Sequence, residues 1–204
     1  MIEVSELQRD ALAEIFNIGV GRAASSLSLI VNDEIELSAP SVLFLRPADV
    51  QTSLLGTEMQ HLSLVSQDFT GPFDAKAMLL FPERNALIIV AHMLGEQVPP
   101  EQLSELEQEA MCEVGNIILN ACISALADLF KVEFDGGLPR HQFADTRLLD
   151  LFGDDPEHMI LVVQVDLTIS KERVNGHMLF LLSVSSLSEL IVCIDRFLSS
   201  QGLA

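Results

Sequence analysis

Glu14 and Asn17 recur as Glu113 and Asn116, 99 positions further along the chain, and each asparagine has a proline 23 positions beyond it, Pro40 and Pro139. The segments around the two copies recur in the same order. A period near 100 is too long for a solenoid, whose repeats run to roughly 20–50 residues. It points instead to duplication of one module whose strands and helices share a single core. With 204 residues, 49% of them apolar, the chain can bury such a core, and its composition is that of a globular protein rather than a disordered one.

The hydrophobic pattern fills in the module. From Ser5 to about Ile30, apolar residues fall at helical spacing (Leu7, Ala11, Ile15, Ile18), with Ser5 as the N-cap. Strand-like residues follow at Glu36–Leu45 and in the alternating His61–Phe69, then a buried strand at Ala75–Phe81. Pro82 opens a helix over Arg84–Leu94. Gly95–Pro100 (GEQVPP) is the clearest linker. A second long helix runs from about Glu101 to Leu129, Gly136, Gly137 and Pro139 mark a loop, and alternation returns at Met159–Ile169. Val174–Leu182 and Ser186–Leu198 match the strand and helix that close the first round. The expected architecture is α+β: a single domain over residues 1–204, made of two similar halves, approximately 1–98 and 101–204, related by a pseudo-two-fold duplication.

Glu14 and Asn17 are three apart and share a helix face. Asp10, Glu14, Asn17 and Gly21 form one stripe, and Leu7, Ala11, Ile15 and Ile18 run opposite it. The polar stripe is expected on the surface and the apolar one in the core. The second long helix repeats this, with Glu109, Glu113, Asn116 and Asn120 against Ala110, Val114, Ile117 and Ala121. A lone Glu-x-x-Asn is common on solvated helices, and the chain carries a third, Glu172 with Asn175. That copy has Leu198 in place of the distant proline, and its surroundings read as a loop before a strand, so it is coincidental. Pro40 and Pro139 are expected to shape the chain as it enters a strand. Gly19 and Gly21 lie within a helix pattern and follow no strand, so close helix packing accounts for them better than a phosphate-binding loop.

These residues resemble the signature of the CheC/CheX/FliY phosphatases of bacterial chemotaxis: an Asp or Ser, a Glu four later, an Asn three after that, and a Pro 23 beyond. Asp10, Glu14, Asn17 and Pro40 match at every position. Glu113, Asn116 and Pro139 match in the second copy, but Glu109 stands where Asp or Ser is expected. The stretch EIFNIGVGRAASSLS also resembles the first helix of the family, with Phe16 in place of a common Gly. The resemblance covers essentially the whole chain. Its size and two intact copies are most like CheC, and no C-terminal flagellar-switch domain is expected, which makes FliY the poorer match.

The resemblance implies helices packed on a shared β-sheet, with the two motif helices side by side on one face. It implies hydrolysis of the aspartyl phosphate of a CheY-like response regulator, with Mg²⁺ held by the regulator and no cofactor bound by this chain. Such a reaction asks mainly for an in-line nucleophile and stabilised charge. An amide donates and accepts hydrogen bonds without changing charge, so Asn17 and Asn116 are assigned to orient the attacking water. The family's glutamate pairs with a lysine on the regulator, which makes Glu14 and Glu113 the docking carboxylates. A CheD-like partner is implied only by the likeness to CheC. The alternative is a non-catalytic CheC-like adaptor that binds a response regulator or another signalling partner through the same residues.

Acidic residues number 30 against 11 basic ones, a formal charge of −19. That balance argues against nucleic acid and against anionic lipid, both of which recruit Lys and Arg. The start, MIEVSELQRD, has no basic region followed by an apolar run, so no signal peptide is expected. The longest apolar stretches, near Leu87–Val90 and Leu179–Leu182, fall short of the roughly 20 residues of a membrane span. No membrane insertion and a cytoplasmic location are therefore expected. Cys112, Cys122 and Cys193 form no CxxC pair and sit among apolar neighbours, as buried reduced thiols do. The five histidines lack metal-ligand spacing, and Asp145, Asp150, Asp154 and Asp155 lack the spacing of a Ca²⁺ loop.

Overall fold

A computed structural model describes residues 4–39, 41–54, 61–94, 103–145 and 158–203. Pro40, the GEQVPP linker, Asp150, Asp154 and Asp155 lie outside the described residues. Helix α1 spans Glu6–Val31 and starts, as its sequence predicts, at Ser5. The Ser5 hydroxyl accepts from the Gln8 backbone N–H, and the Gln8 side chain accepts from the Ser5 N–H at 2.8 Å. This reciprocal capping box satisfies two otherwise orphaned donors. Helix α2 (Pro47–Leu54) is short and was not anticipated by the apolar spacing. Helices α3 (Glu83–Leu94), α4 (Leu103–Phe130) and α5 (Val184–Ser200) fall within a few residues of the expected segments.

The strands are β1 (Ile35–Ser38), β2 (Val42–Leu45), β3 (His61–Thr70), β4 (Ala75–Pro82), β5 (Asp135–Gly136), β6 (Arg140–Asp145), β7 (Met159–Ile169) and β8 (Glu172–Leu182). They form one antiparallel sheet in the order β1-β7-β8-β4-β3-β5, with β2 also on β7 and β6 also on β3. The edge strand that follows α1 therefore pairs with β7, and the one that follows α4 pairs with β3. Each half completes the sheet of the other.

Both edge strands are broken in the middle. The expected strand at Glu36–Leu45 is two strands, one ending at Ser38 and the other beginning at Val42. The expected loop at Gly136–Pro139 is the matching break between β5 and β6. Pro82 ends β4 rather than opening α3. The third Glu-x-x-Asn copy also moves: Glu172 and Asn175 both lie on β8, where residues three apart point to opposite faces.

The core follows strand alternation. Val65 and Phe69 of β3 join Leu12, Phe16 and Val20 of α1, Met111, Val114 and Ile118 of α4, and Leu187, Leu190 and Ile194 of α5 on one face. Leu62 and Leu64 of the same strand join Val50 of α2 on the other. Leu106–Phe130 is long and apolar enough to cross a membrane, unlike the shorter stretches noted in the sequence. Here its apolar side is packed against α1 and the sheet.

On α1 the buried side differs from the expected stripe. Leu12, Ile15, Phe16, Gly19, Val20, Ala23 and Leu27 are buried, whereas Leu7 and Ile18 are 44% and 38% exposed. Apolar residues surround much of this helix, and contact with both α4 and the sheet selects the side centred on Phe16 and Gly19. At matching positions the halves solve their packing differently. Phe16 stacks on Phe180 of β8, with ring centroids 5.4 Å apart. Gly115, its counterpart, lets α4 descend onto β3, where a Cβ would lie 2.4 Å from the Val65 side chain. Of the cysteines, Cys122 and Cys193 are buried as expected, but Cys112 is only half-buried.

Candidate functional site

Helices α1 and α4 pack against each other, so the two predicted pairs stand on neighbouring helices. Gly19 makes that approach possible: a Cβ there would sit 2.7 Å from the Cys122 Cα. Gly21, also assigned to helix packing from the sequence, is different. It is exposed, and a Cβ there would meet nothing within 4 Å. Arg22 of α1 and Asp128 of α4 pair at 2.6 Å with both side chains about half exposed. An ion pair so open to water contributes at most about 1 kcal/mol.

In the first half, Asp10, Glu14 and Asn17 are all exposed on α1. Asn17 faces the break in the edge strand. Its Oδ1 accepts from the Ala39 backbone N–H at 2.9 Å. The Gln164 N–H of β7 donates to the Ser41 carbonyl at 3.2 Å and closes the far side of the break. Pro40 falls between these two residues in the sequence.

In the second half, Glu109 and Glu113 are exposed on α4, and Asn116 and Asn120 are half-buried. The break holds Gly137, Leu138 and Pro139, and Pro139 stands immediately before β6. Leu138, the counterpart of Ala39, is 85% exposed. Asn116 is engaged within its own helix instead. Asn120 Nδ2 lies 2.7 Å from the Asn116 carbonyl and 2.8 Å from Asn116 Oδ1. Asn120 also meets Gln67 of β3, whose Oε1 is 3.3 Å from Asn120 Nδ2. Gln67 Nε2 in turn donates to the Gly137 carbonyl at 2.8 Å, and the Gly137 N–H donates to the Asp68 carbonyl, also at 2.8 Å.

Gln67 was missed in the sequence, although a signal was present. On the inward face of β3 it takes a place between Val65 and Phe69, and it is buried. A polar side chain at an inward position needs a partner, and here it finds Asn120 and the strand break.

Among the described residues, no group of three or more His, Cys, Asp or Glu is placed to hold a metal ion. Of the histidines, His141 places Nε2 2.8 Å from the Ser63 hydroxyl, and burial lowers its basicity. Burial also lowers His177, against the opposing pull of Asp166.

A model of the CheC-like family matches residues 7–43, which contain Asp10, Glu14, Asn17 and Pro40. The CheY-P phosphatase CheC of Bacillus subtilis is 26% identical over 153 residues, 74% of this chain and 70% of that protein. Over its first motif helix the chain is similar to the CheC-like family. The flagellar motor switch phosphatase FliY of Bacillus subtilis is 24% identical over 145 residues, 70% of this chain. That match spans only 37% of the length of that FliY. The crystal structure of Thermotoga maritima FliY has the same fold, with a TM-score of 0.78 over 96% of this chain and 100% of that one, at 19% identity. Within this CheC-like fold, the helix matched by the family model is α1, and α4 repeats its Glu-x-x-Asn pattern.

Proposed function

We propose that this CheC-like chain hydrolyses the aspartyl phosphate of a CheY-like response regulator. One observation carries the reading. In both halves a Glu-x-x-Asn pair stands on a helix beside the break in an edge strand, with its Glu exposed and its Asn amide oxygen already engaged. Two such arrangements, built from matching elements, are hard to explain as solvated surface. The name of the CheC relative, a CheY-P phosphatase, supplies the substrate class, and that of the FliY relative, a phosphatase, agrees with the reaction type.

In this mechanism Glu14 or Glu113 meets a lysine of the regulator and seats the phosphorylated aspartate against the helix. Asn17 or Asn116 orients a water in line with phosphorus. Water bonds to phosphorus, the phosphorus–oxygen bond to the aspartyl carboxylate breaks, the free aspartate stays on the regulator, and inorganic phosphate departs with one proton released to solvent. Mg²⁺, held by the regulator, offsets charge on the phosphoryl oxygens. The protein's contribution is positioning, which alone can supply several kcal/mol of barrier lowering. A strongly acidic surface, −19 overall, favours encounter with a basic rim around the regulator's phosphorylation site. A cytoplasmic location goes with such a partner. The whole chain acts as one domain of two interlocked halves, each offering one site.

The test is the decay of a phosphorylated CheY-like regulator from the same cell, in Mg²⁺, with catalytic amounts of the chain. Acceleration that disappears in the Asn17→Ala/Asn116→Ala double variant supports the enzyme and both asparagines. Binding without acceleration supports the adaptor reading instead.

A further inference from the structure

We infer that Asn120 is a positioning residue for Asn116, anchored by Gln67, and that this relay does in the second motif what a backbone N–H does in the first. The inference rests on the reading of Asn116 as a water-orienting amide, but its structural half stands without it.

Hydrogen-bond chemistry fixes the direction of the Gln67, Asn120 and Asn116 amides. A carbonyl can only accept. The Gly137 carbonyl therefore takes the NH₂ of Gln67, at 2.8 Å, and turns Gln67 Oε1 toward Asn120. The Asn116 backbone carbonyl takes the NH₂ of Asn120, at 2.7 Å. The Asn116 side-chain atom 2.8 Å from that same NH₂ must then be Oδ1. The amide is oriented with its oxygen inward and its own NH₂ left to present. Gly136 of β5 runs close over this relay: a Cβ there would lie 3.2 Å from Gln67 Nε2 and 3.4 Å from Asn120 Oδ1.

The first motif reaches the same orientation by another route. The Ala39 N–H can only donate, so the Asn17 atom 2.9 Å away is also the oxygen. At the position of Asn120 the first half has Gly21, which has no side chain to offer. Conversely, Leu138 of the second half, at the position of Ala39, is turned out to solvent. Two different devices hold the two asparagines in one sense, with an NH₂ available to the reacting water or phosphoryl oxygen and one acceptor site remaining on Oδ1. Positioning in the second motif therefore depends on side chains that mutation can remove, and in the first it does not.

The experiment uses the full chain carrying Asn17→Ala, so that turnover reports the second motif, and compares it with the same chain carrying Asn120→Asp as well. A carboxylate at 120 keeps the shape but cannot donate to Asn116. Turnover of the phosphorylated regulator is measured as kcat and KM, and side-chain order at Asn116 by ¹⁵N relaxation of its amide. The expected result is a kcat lower by about 10- to 100-fold, a KM within about twofold, and loss of order at the Asn116 amide. The Gln67→Glu variant, which loses the donor to Gly137, is expected to move the same readouts in the same direction. An Asn116 amide as ordered in both variants as in their parent overturns the relay. Ordered loss at Asn116 with unchanged kcat overturns its role in turnover. If the parent and the unsubstituted chain bind the regulator but do not turn it over, the phosphatase reading fails, and the relay is decided by the amide signal alone.

Discussion

Gly19 of α1 lies so close to Cys122 of α4 that a Cβ at position 19 would stand 2.7 Å from the Cys122 Cα. The atom it would meet is backbone, which cannot move without shifting a helix. Gly19→Ala is therefore expected to cost about 1–3 kcal/mol, as overpacking does. Gly21→Ala, on the open side of the same helix, is expected to gain about 0.5–1 kcal/mol from helix propensity. Urea unfolding of the two variants checks both signs.

Phe16 occupies a place where the second half carries Gly115, yet the two are not interchangeable. Phe16 is fully buried against Phe180, whereas Gly115 leaves no room above Val65. Restoring the apparent symmetry with Phe16→Gly opens a cavity and weakens the helix, for a loss of more than about 3 kcal/mol. A thermal midpoint equal to that of the parent contradicts this packing.

Glu107 is a buried carboxyl whose Oε1 has no hydrogen-bond partner. Burial, and secondarily Glu83, raise its pKa above the ordinary 4.5. The folded state then holds the proton more tightly than the unfolded one. Stability is fullest below pH 4.5 with respect to this group, and falls as pH rises through the raised folded value. Gln8 holds the corresponding position on α1 without a charge. Glu107→Gln is accordingly expected to raise the thermal midpoint at pH 7 to 8 and to change it little near pH 4. A stabilisation of equal size at both pH values rules out the titration.

Cys122 is fully buried, and burial alone pushes its thiol up to about 12. It is expected to stay unlabelled by iodoacetamide at pH 8 until the protein is unfolded, because the thiolate is the reactive form. Half-buried Cys112 is expected to be labelled before it. Mass spectrometry of peptides from a labelling time course gives the order.

Glu14 and Glu113 are exposed, so their proposed contact with the regulator is made across water and is open to screening. Glu14→Gln/Glu113→Gln is expected to slow association at low salt and to flatten its dependence on ionic strength. Stopped-flow binding at several salt concentrations reads this. An unchanged salt slope removes the two carboxylates from docking.

The sequence by itself determined the repeat, both long helices, the Ser5 cap and the paired Glu-x-x-Asn stripes. These are local or periodic features: a cap is set within four residues, and a surface stripe is set by helical spacing. The expected interior stripe of α1 was displaced because apolar residues cover more of that helix than one partner needs, and only its packing on α4 and the sheet chose among them. The first edge-strand break, and the pairing of the short strand before the second, were invisible for a related reason. β1 and β2 look continuous until β7 supplies the register, and two-residue β5 exists only because β3 is beside it. Which partner holds each asparagine was likewise decided in three dimensions. Ala39 is 22 positions from Asn17, and Gln67 is 53 from Asn120, and no spacing rule reaches across a strand exchange between two halves of a sheet.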